Sequence, residues 1–262
     1  MNKRIKQAFA QGKVFIPFIT GGDPDLETTE KLLHTLYQAG AGMIEIGVPF
    51  SDPIAEGPVI EAADERALKA GCTADQLFDL VRRVRAEIPI PLLFMTYYNP
   101  VFSYGLARFT ANCAACGLDG LIVPDLPFEE REELLGPCQR QGLALISLIA
   151  PTSRERITRI AGESEDFLYC VSSLGVTGTR RDLGDSARQM IAQAKQARDL
   201  PCAVGFGVST PEQARELAAY ADGVIIGSAI VRIIAEHGRG CVAPVREFAR
   251  EIKKNITPTG GK

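Results

Sequence analysis

VFIPFITGGDPDLETTEKLLHTLYQAG, residues 14–40, holds a strand, a turn and a helix in one stretch. The run Val14–Thr20 is apolar almost throughout, the pattern of a strand buried on both faces. Asp23 then reads as a helix N-cap, with Pro24 at the first helical position. Leu33, Leu36 and Tyr37 form one apolar stripe, and Gly40 stops the helix. Seven further apolar runs follow at βα spacing: Met43–Val48, Pro91–Tyr97, Gly120–Pro124, Leu143–Ala150, Phe167–Ser173, Pro201–Gly207 and Gly223–Ala229.

Between the runs lie helix signals. GPVIEAADERALKAG starts at Pro58, turns Val59, Ile60, Ala63 and Ala67 inward and ends at Gly71. The interval after the second run is too long for one unit, so a second helix is expected there, from about Thr73 to Ile88. STPEQARELAAYADG offers Ser209 or Thr210 as cap, followed by Pro211. Ile5 and Phe9, four apart among basic residues, read as a short amphipathic helix ahead of the first strand. Eight βα units in 262 residues imply a closed (βα)8 TIM barrel, one domain over residues 1–262, with that extra N-terminal helix and an inserted helix after strand 2. An open doubly wound sheet is the competing arrangement; it is disfavoured because no GxGxxG follows the first strand.

Composition narrows the function. Apolar content of 46% and charged content of 23% are ordinary for a globular chain, and a net charge of −3 gives no electrostatic argument for nucleic acid. No apolar run approaches the ~20 residues a membrane helix needs, and the N-terminus lacks a signal-peptide core. A cytoplasmic location is the default. The seven cysteines are scattered and read as buried free thiols. With only two histidines, His34 and His237, both in helical patterns, no metal site is expected.

Chemistry in a parallel barrel sits at the C-terminal strand ends. None of the strand runs carries lysine or histidine, which weakens Schiff-base, metal-dependent and histidine-base mechanisms. Glu45, between Ile44 and Ile46, is expected to be desolvated and partly protonated near neutrality, a general acid that becomes a base once ionised. The competing reading is a structural carboxylate hydrogen-bonded to backbone or to a tyrosine. Glu56 lies on a loop stiffened by Pro49, Pro53 and Pro58; it is expected to be more exposed and ionised. Asp52 reads as a turn residue or a contact residue, and Asp125 as the cap of the helix after the fourth strand. Glycine turns end the seventh and eighth runs, at Gly205–Ser209 and Ile226–Val231, with another at Gly175–Gly178. Glycine admits an anion close to the backbone, and a helix N-terminus supplies free N–H groups. The residues alone thus point to acid–base chemistry on a phosphate-bearing small molecule.

The segments FIPFITGGDPD, IEIGVPFSDPIAEGPVI, LLFMTYYNPVFSYG, LIVPDLPFEE, CVSSLGVTGTR, GFGVSTPEQ and GSAIV resemble, in order, the tryptophan synthase alpha subunit family. The resemblance implies cleavage of indole-3-glycerol phosphate to indole and glyceraldehyde 3-phosphate. It also implies an α2β2 assembly with a beta subunit that holds pyridoxal phosphate, the alpha chain needing no cofactor. It assigns acid–base work to Glu45 and the indole N–H to Glu56. It gives substrate contacts to Phe18, Tyr97, Tyr169 and Thr177, and the phosphate to Gly178, Phe206, Gly207, Gly227 and Ser228. Two positions depart from the family pattern: Glu56 stands where aspartate is commoner, and Glu61 where glutamine is commoner. A stand-alone lyase, a non-catalytic activating partner and a different sugar-phosphate barrel are the competing functions.

Overall fold

The structure is a computed structural model describing residues 2–171, 180–205 and 207–257. Eight parallel strands close on themselves in sequence order: β1 Val14–Thr20, β2 Ile44–Gly47, β3 Leu92–Met95, β4 Gly120–Ile122, β5 Ala144–Ile149, β6 Leu168–Val171, β7 Cys202–Gly205 and β8 Gly223–Ile226. β8 pairs with β1, Val14 opposite Gly223, so neither edge is left open. The open-sheet alternative is therefore wrong.

Twelve α-helices are present among the described residues. They are α1 Lys3–Ala10, α2 Leu26–Gln38, α3 Pro58–Lys69, α4 Ala74–Val84, α5 Tyr98–Tyr104 and α6 Leu106–Cys116. Then come α7 Glu132–Arg140, α8 Arg154–Glu163, α9 Arg180–Ala197, α10 Pro211–Ala218, α11 Ser228–His237 and α12 Val242–Ile256. None is long and apolar enough to cross a membrane.

Strand alternation divides the core. Ile16, Phe18, Leu93, Met95, Ile146 and Tyr169 fill the barrel interior, while Ile19, Ile44, Ile46 and Phe94 face the helical layer. Each fully buried aliphatic or aromatic side chain contributes roughly 1.5–3 kcal/mol.

The caps explain where helices begin. Thr73 and Thr210 both form capping boxes, with Gln76 and Gln213. At α2 the expected cap is corrected: Asp25, not Asp23, accepts the Thr28 N–H at 2.7 Å. Asp23 is fully buried, and both its oxygens are taken by Arg66 of α3 at 2.8 Å. Gly40 follows α2 with φ of 96°, a conformation glycine adopts freely.

At the N-terminal end of the barrel α1 lies beneath the strands. Its Ile5 is fully buried, and Phe9 packs on Phe167 with ring centroids 5.4 Å apart. Asp119, also fully buried, accepts from Arg4 at 3.0 Å, Arg85 at 3.3 Å and the Leu92 N–H at 3.0 Å.

Candidate active site

The opposite end of the barrel carries the candidate chemistry. β2 alternates like any strand, so the outward turn of Ile44 and Ile46 sends Glu45 inward. It stands in register with Phe18 of β1 and Leu93 of β3. Its exposure is 0%, and neither carboxylate oxygen has a protein hydrogen-bond partner. Burial disfavours the charged form and raises its pKa well above the usual carboxylate range. Burial thus favours the neutral, protonated form of this group.

The second carboxylate rides on the loop between β2 and α3. That loop is pinned by Tyr97, the N-cap residue of α5: the Ala55 N–H donates to the Tyr97 hydroxyl at 3.0 Å, and the Phe50 ring lies 5.5 Å from the Tyr97 ring. Ile54 is 80% exposed at the loop tip, and Asp52 is exposed beside Ser51. Glu56 departs from expectation. It is half-buried, its Oε2 is enclosed without a partner, and its pKa is raised to about 8. Burial is the first cause; the charges of Asp64 and Glu61 add to it. The loop thus folds Glu56 back against α3 instead of leaving it ionised in solvent.

Tyr169 of β6 ties the two acids into one neighbourhood. It is buried, and its phenol pKa is raised first by burial, then by the charges of Glu45 and Glu56. Above it opens a cavity of about 1010 Å³. Phe18, Glu56, Tyr169, Gly207, Gly227 and Ser228 all line it; Glu45 and Tyr97, nearly closed off from solvent, do not.

Across the cavity, Gly227 caps α11 with no side chain on the first-turn N–H groups. A ten-residue helix left bare at this end presents donors and partial positive charge to an anion. Gly207 has φ of 73° on the neighbouring turn. Arg232, one turn into α11, also lines the cavity and was not anticipated. Asp64 was missed as well.

Asp125 is a further correction: it accepts the Tyr98 N–H at 2.9 and 3.1 Å, so it serves α5, not the helix after β4. Glu61 is exposed. Thr177, Gly178 and Phe206 lie outside the described residues. All seven cysteines are free and buried. Among the described residues, no group of three or more His, Cys, Asp or Glu is arranged to hold a metal.

A closed parallel barrel whose mouth joins a dried carboxylic acid to an unblocked helix N-terminus defines an acid–base barrel enzyme for a phosphorylated substrate. The family model for the tryptophan synthase alpha chain matches residues 5–257. The tryptophan synthase alpha chain of Shouchella clausii is 50% identical over 235 residues, covering 89% of this chain and 87% of its own. That of Picosynechococcus is 49% identical over 245 residues, 92% of each. The alpha chain structure from Legionella pneumophila superposes with a TM-score of 0.89 at 35% identity, covering 100% of both chains. A chain of the tryptophan synthase complex from Pyrococcus furiosus gives 0.84 at 36% identity, covering 93% of this chain and 98% of that one. The chain belongs to the tryptophan synthase alpha chain family. It is a carbon–carbon lyase of tryptophan biosynthesis, cleaving indole-3-glycerol phosphate to indole and glyceraldehyde 3-phosphate.

Proposed function

We propose that the chain performs this cleavage with Glu45 as the single proton-transfer group and Glu56 as the acceptor of the indole N–H. Glu45 gives its proton to indole C3, which turns the ring into an electron sink. The resulting carboxylate takes the proton of the glycerol hydroxyl next to the ring. The carbon–carbon bond then breaks, its electron pair restores the aromatic indole, and the oxygen becomes the aldehyde of glyceraldehyde 3-phosphate. The proton given to C3 stays on the indole, and Glu45 ends protonated as it began. Glu56, ionised in the complex, balances the positive charge that develops on the ring nitrogen.

Phe18 and Tyr169 hold the indole, and Tyr97 acts from behind through the loop backbone. Gly207, Gly227 and Ser228 bind the phosphate on bare amides, with Thr177, Gly178 and Phe206 completing the substrate contacts. The carrying observation is the enclosed, unpartnered carboxyl of Glu45 in register with the cavity residue Phe18.

The chain acts as one domain in the cytoplasm, with no cofactor of its own, beside a tryptophan synthase beta subunit that supplies pyridoxal phosphate, in an α2β2 assembly. Ile54 at the acidic loop and Phe102 of α5, 80% and 62% exposed, offer apolar anchors for that partner near the barrel mouth. Indole release by Glu45→Gln, measured with and without beta subunit, tests the mechanism. A loss of roughly 10²–10⁴-fold with an unchanged circular dichroism spectrum is expected; near-normal release would end the acid–base role.

A further inference from the structure

The loop that bears Glu56 runs from Gly47, the last residue of β2, to Pro58, the first of α3. Both of its ends meet one turn, Gly21, Gly22 and Asp23, which follows β1. At the near end the Gly21 N–H donates to the Gly47 carbonyl at 2.8 Å. At the far end Arg66 of α3 reaches back to the same turn, its Nε and one terminal nitrogen donating to the two Asp23 oxygens at 2.8 Å each. The Asp23 side chain is fully enclosed, and that of Arg66 is 35% exposed. The turn also packs closely on the helix: a Cβ on Gly22 would lie 2.6 Å from Cys72, just past α3, and 3.5 Å from Ala67 within it. The turn is braced in its own right from α2. The Gly22 N–H donates to Thr29 Oγ1 at 2.9 Å, and that hydroxyl donates to the Asp25 carbonyl at 2.9 Å.

This outside hold matters because α3 is weakly fixed at its own start: the cap residue, Gly57, makes no side-chain bond to the first turn. Yet that turn carries Pro58, Val59 and Ile60 into the cavity wall, and Glu56 stands two residues ahead of Pro58. Arg66 sits about 12 Å along the helix from Pro58, on a rod that passes a shift at one end to the other. We propose that Asp23 and Arg66 are positioning residues for the lyase reaction: their fork fixes where α3 begins, and so where Glu56 meets the indole N–H. The inference rests on the assignment of Glu56 to that N–H. Neither Asp23 nor Arg66 lines the cavity, so both act through the loop. A two-pronged contact suits the task, because it fixes direction as well as distance; lysine, a point charge, does not reproduce it.

Three variants test this in the full chain with beta subunit present. R66K and D23N keep part of the fork; R66M keeps none of it. Indole release gives kcat and KM, and a fluorophore on I54C at the exposed loop tip gives the loop's mobility by anisotropy decay. R66K and D23N should lose roughly three- to tenfold in kcat/KM and R66M roughly 10²-fold, mostly in kcat, because the contact to the indole N–H strengthens as charge develops on the ring. The label should swing through a wider angle in the same order. D119A, which breaks a buried pair at the opposite end of the barrel, controls for lost stability: it should lower Tm and leave both readings near wild type. If R66M does not fold, R66K and D23N decide. Wild-type kcat/KM in the folded variants, an unmoved label, or a D119A that matches them in both readings overturns the inference. E56Q, assayed alongside, keeps two failures apart. Full release by E56Q ends the Glu56 assignment, and the positioning role with it; an impaired E56Q beside fully active Asp23 and Arg66 variants ends the positioning role alone.

Discussion

Methionine at position 45 would keep the length and approximate volume of glutamate while removing two buried oxygens that no protein group satisfies. A buried unsatisfied polar group costs about 1–3 kcal/mol, so Glu45→Met should stabilise the barrel by roughly 2 kcal/mol. With an unfolding entropy near 2.1 cal/mol/K per residue, a chain of 262 residues gains about 4 °C in Tm from that change. Proton linkage adds a second signature. The pKa of Glu45 is raised in the folded state, so folding retains a proton that the unfolded chain releases above about pH 4.3. Wild-type stability therefore falls as pH rises through that window, by about 1.4 kcal/mol per unit, until the folded-state pKa is reached. The methionine variant lacks this loss, so its advantage should widen with pH. Thermal melts followed by circular dichroism at pH 6 and pH 7, with indole release measured on the same samples, give both readings. The expected protein is more stable, increasingly so at the higher pH, and inactive. A variant that melts below wild type, or whose advantage stays constant between the two pH values, would refute the picture of Glu45 as a dry, protonated acid.

Ser228→Asp would set a carboxylate at the bare N-terminus of α11, so KM for indole-3-glycerol phosphate should rise at least tenfold with a smaller change in kcat; an unchanged KM would move the phosphate elsewhere. Asp119→Ala would strip the partner from Arg85, 12% exposed, and from the Leu92 N–H. Breaking such a buried pair costs about 3–5 kcal/mol, so Tm should drop by roughly 5–9 °C while indole release at 25 °C is retained.

Strand positions were legible because both strand faces are covered, which leaves an apolar run that local sequence displays directly. β1 ends at the residues its run marks, and Thr210, Pro211 and Gly40 mark their helix ends through backbone requirements that act within a few residues. What failed was long-range. Asp23 and Asp25 both precede α2, and only the arrival of Arg66, 43 residues on, removes Asp23 from capping. Asp125 serves α5 across a separation of 27 residues, which no local pattern records. Glu56 was read as exposed because it sits on a loop, yet Tyr97 and α3 decide how that loop folds. Asp64 left a readable trace: it falls between Ile60 and Ala67 on the apolar stripe of α3, where a carboxylate is out of place. Glu45 gave the same kind of signal, a charge in an apolar period, and there the expected burial agrees with the structure.

The seven enclosed thiols have a practical corollary. Burial pushes Cys72, Cys116 and Cys241 up to about 11 and Cys138 to about 12, which starves maleimide-type reagents of thiolate as well as access. A cysteine introduced at the exposed tip position Ile54 would thus take up a fluorophore ahead of the native sulfurs, with no need for a cysteine-free background. Such a label would report directly on the movements of the loop that bears Glu56.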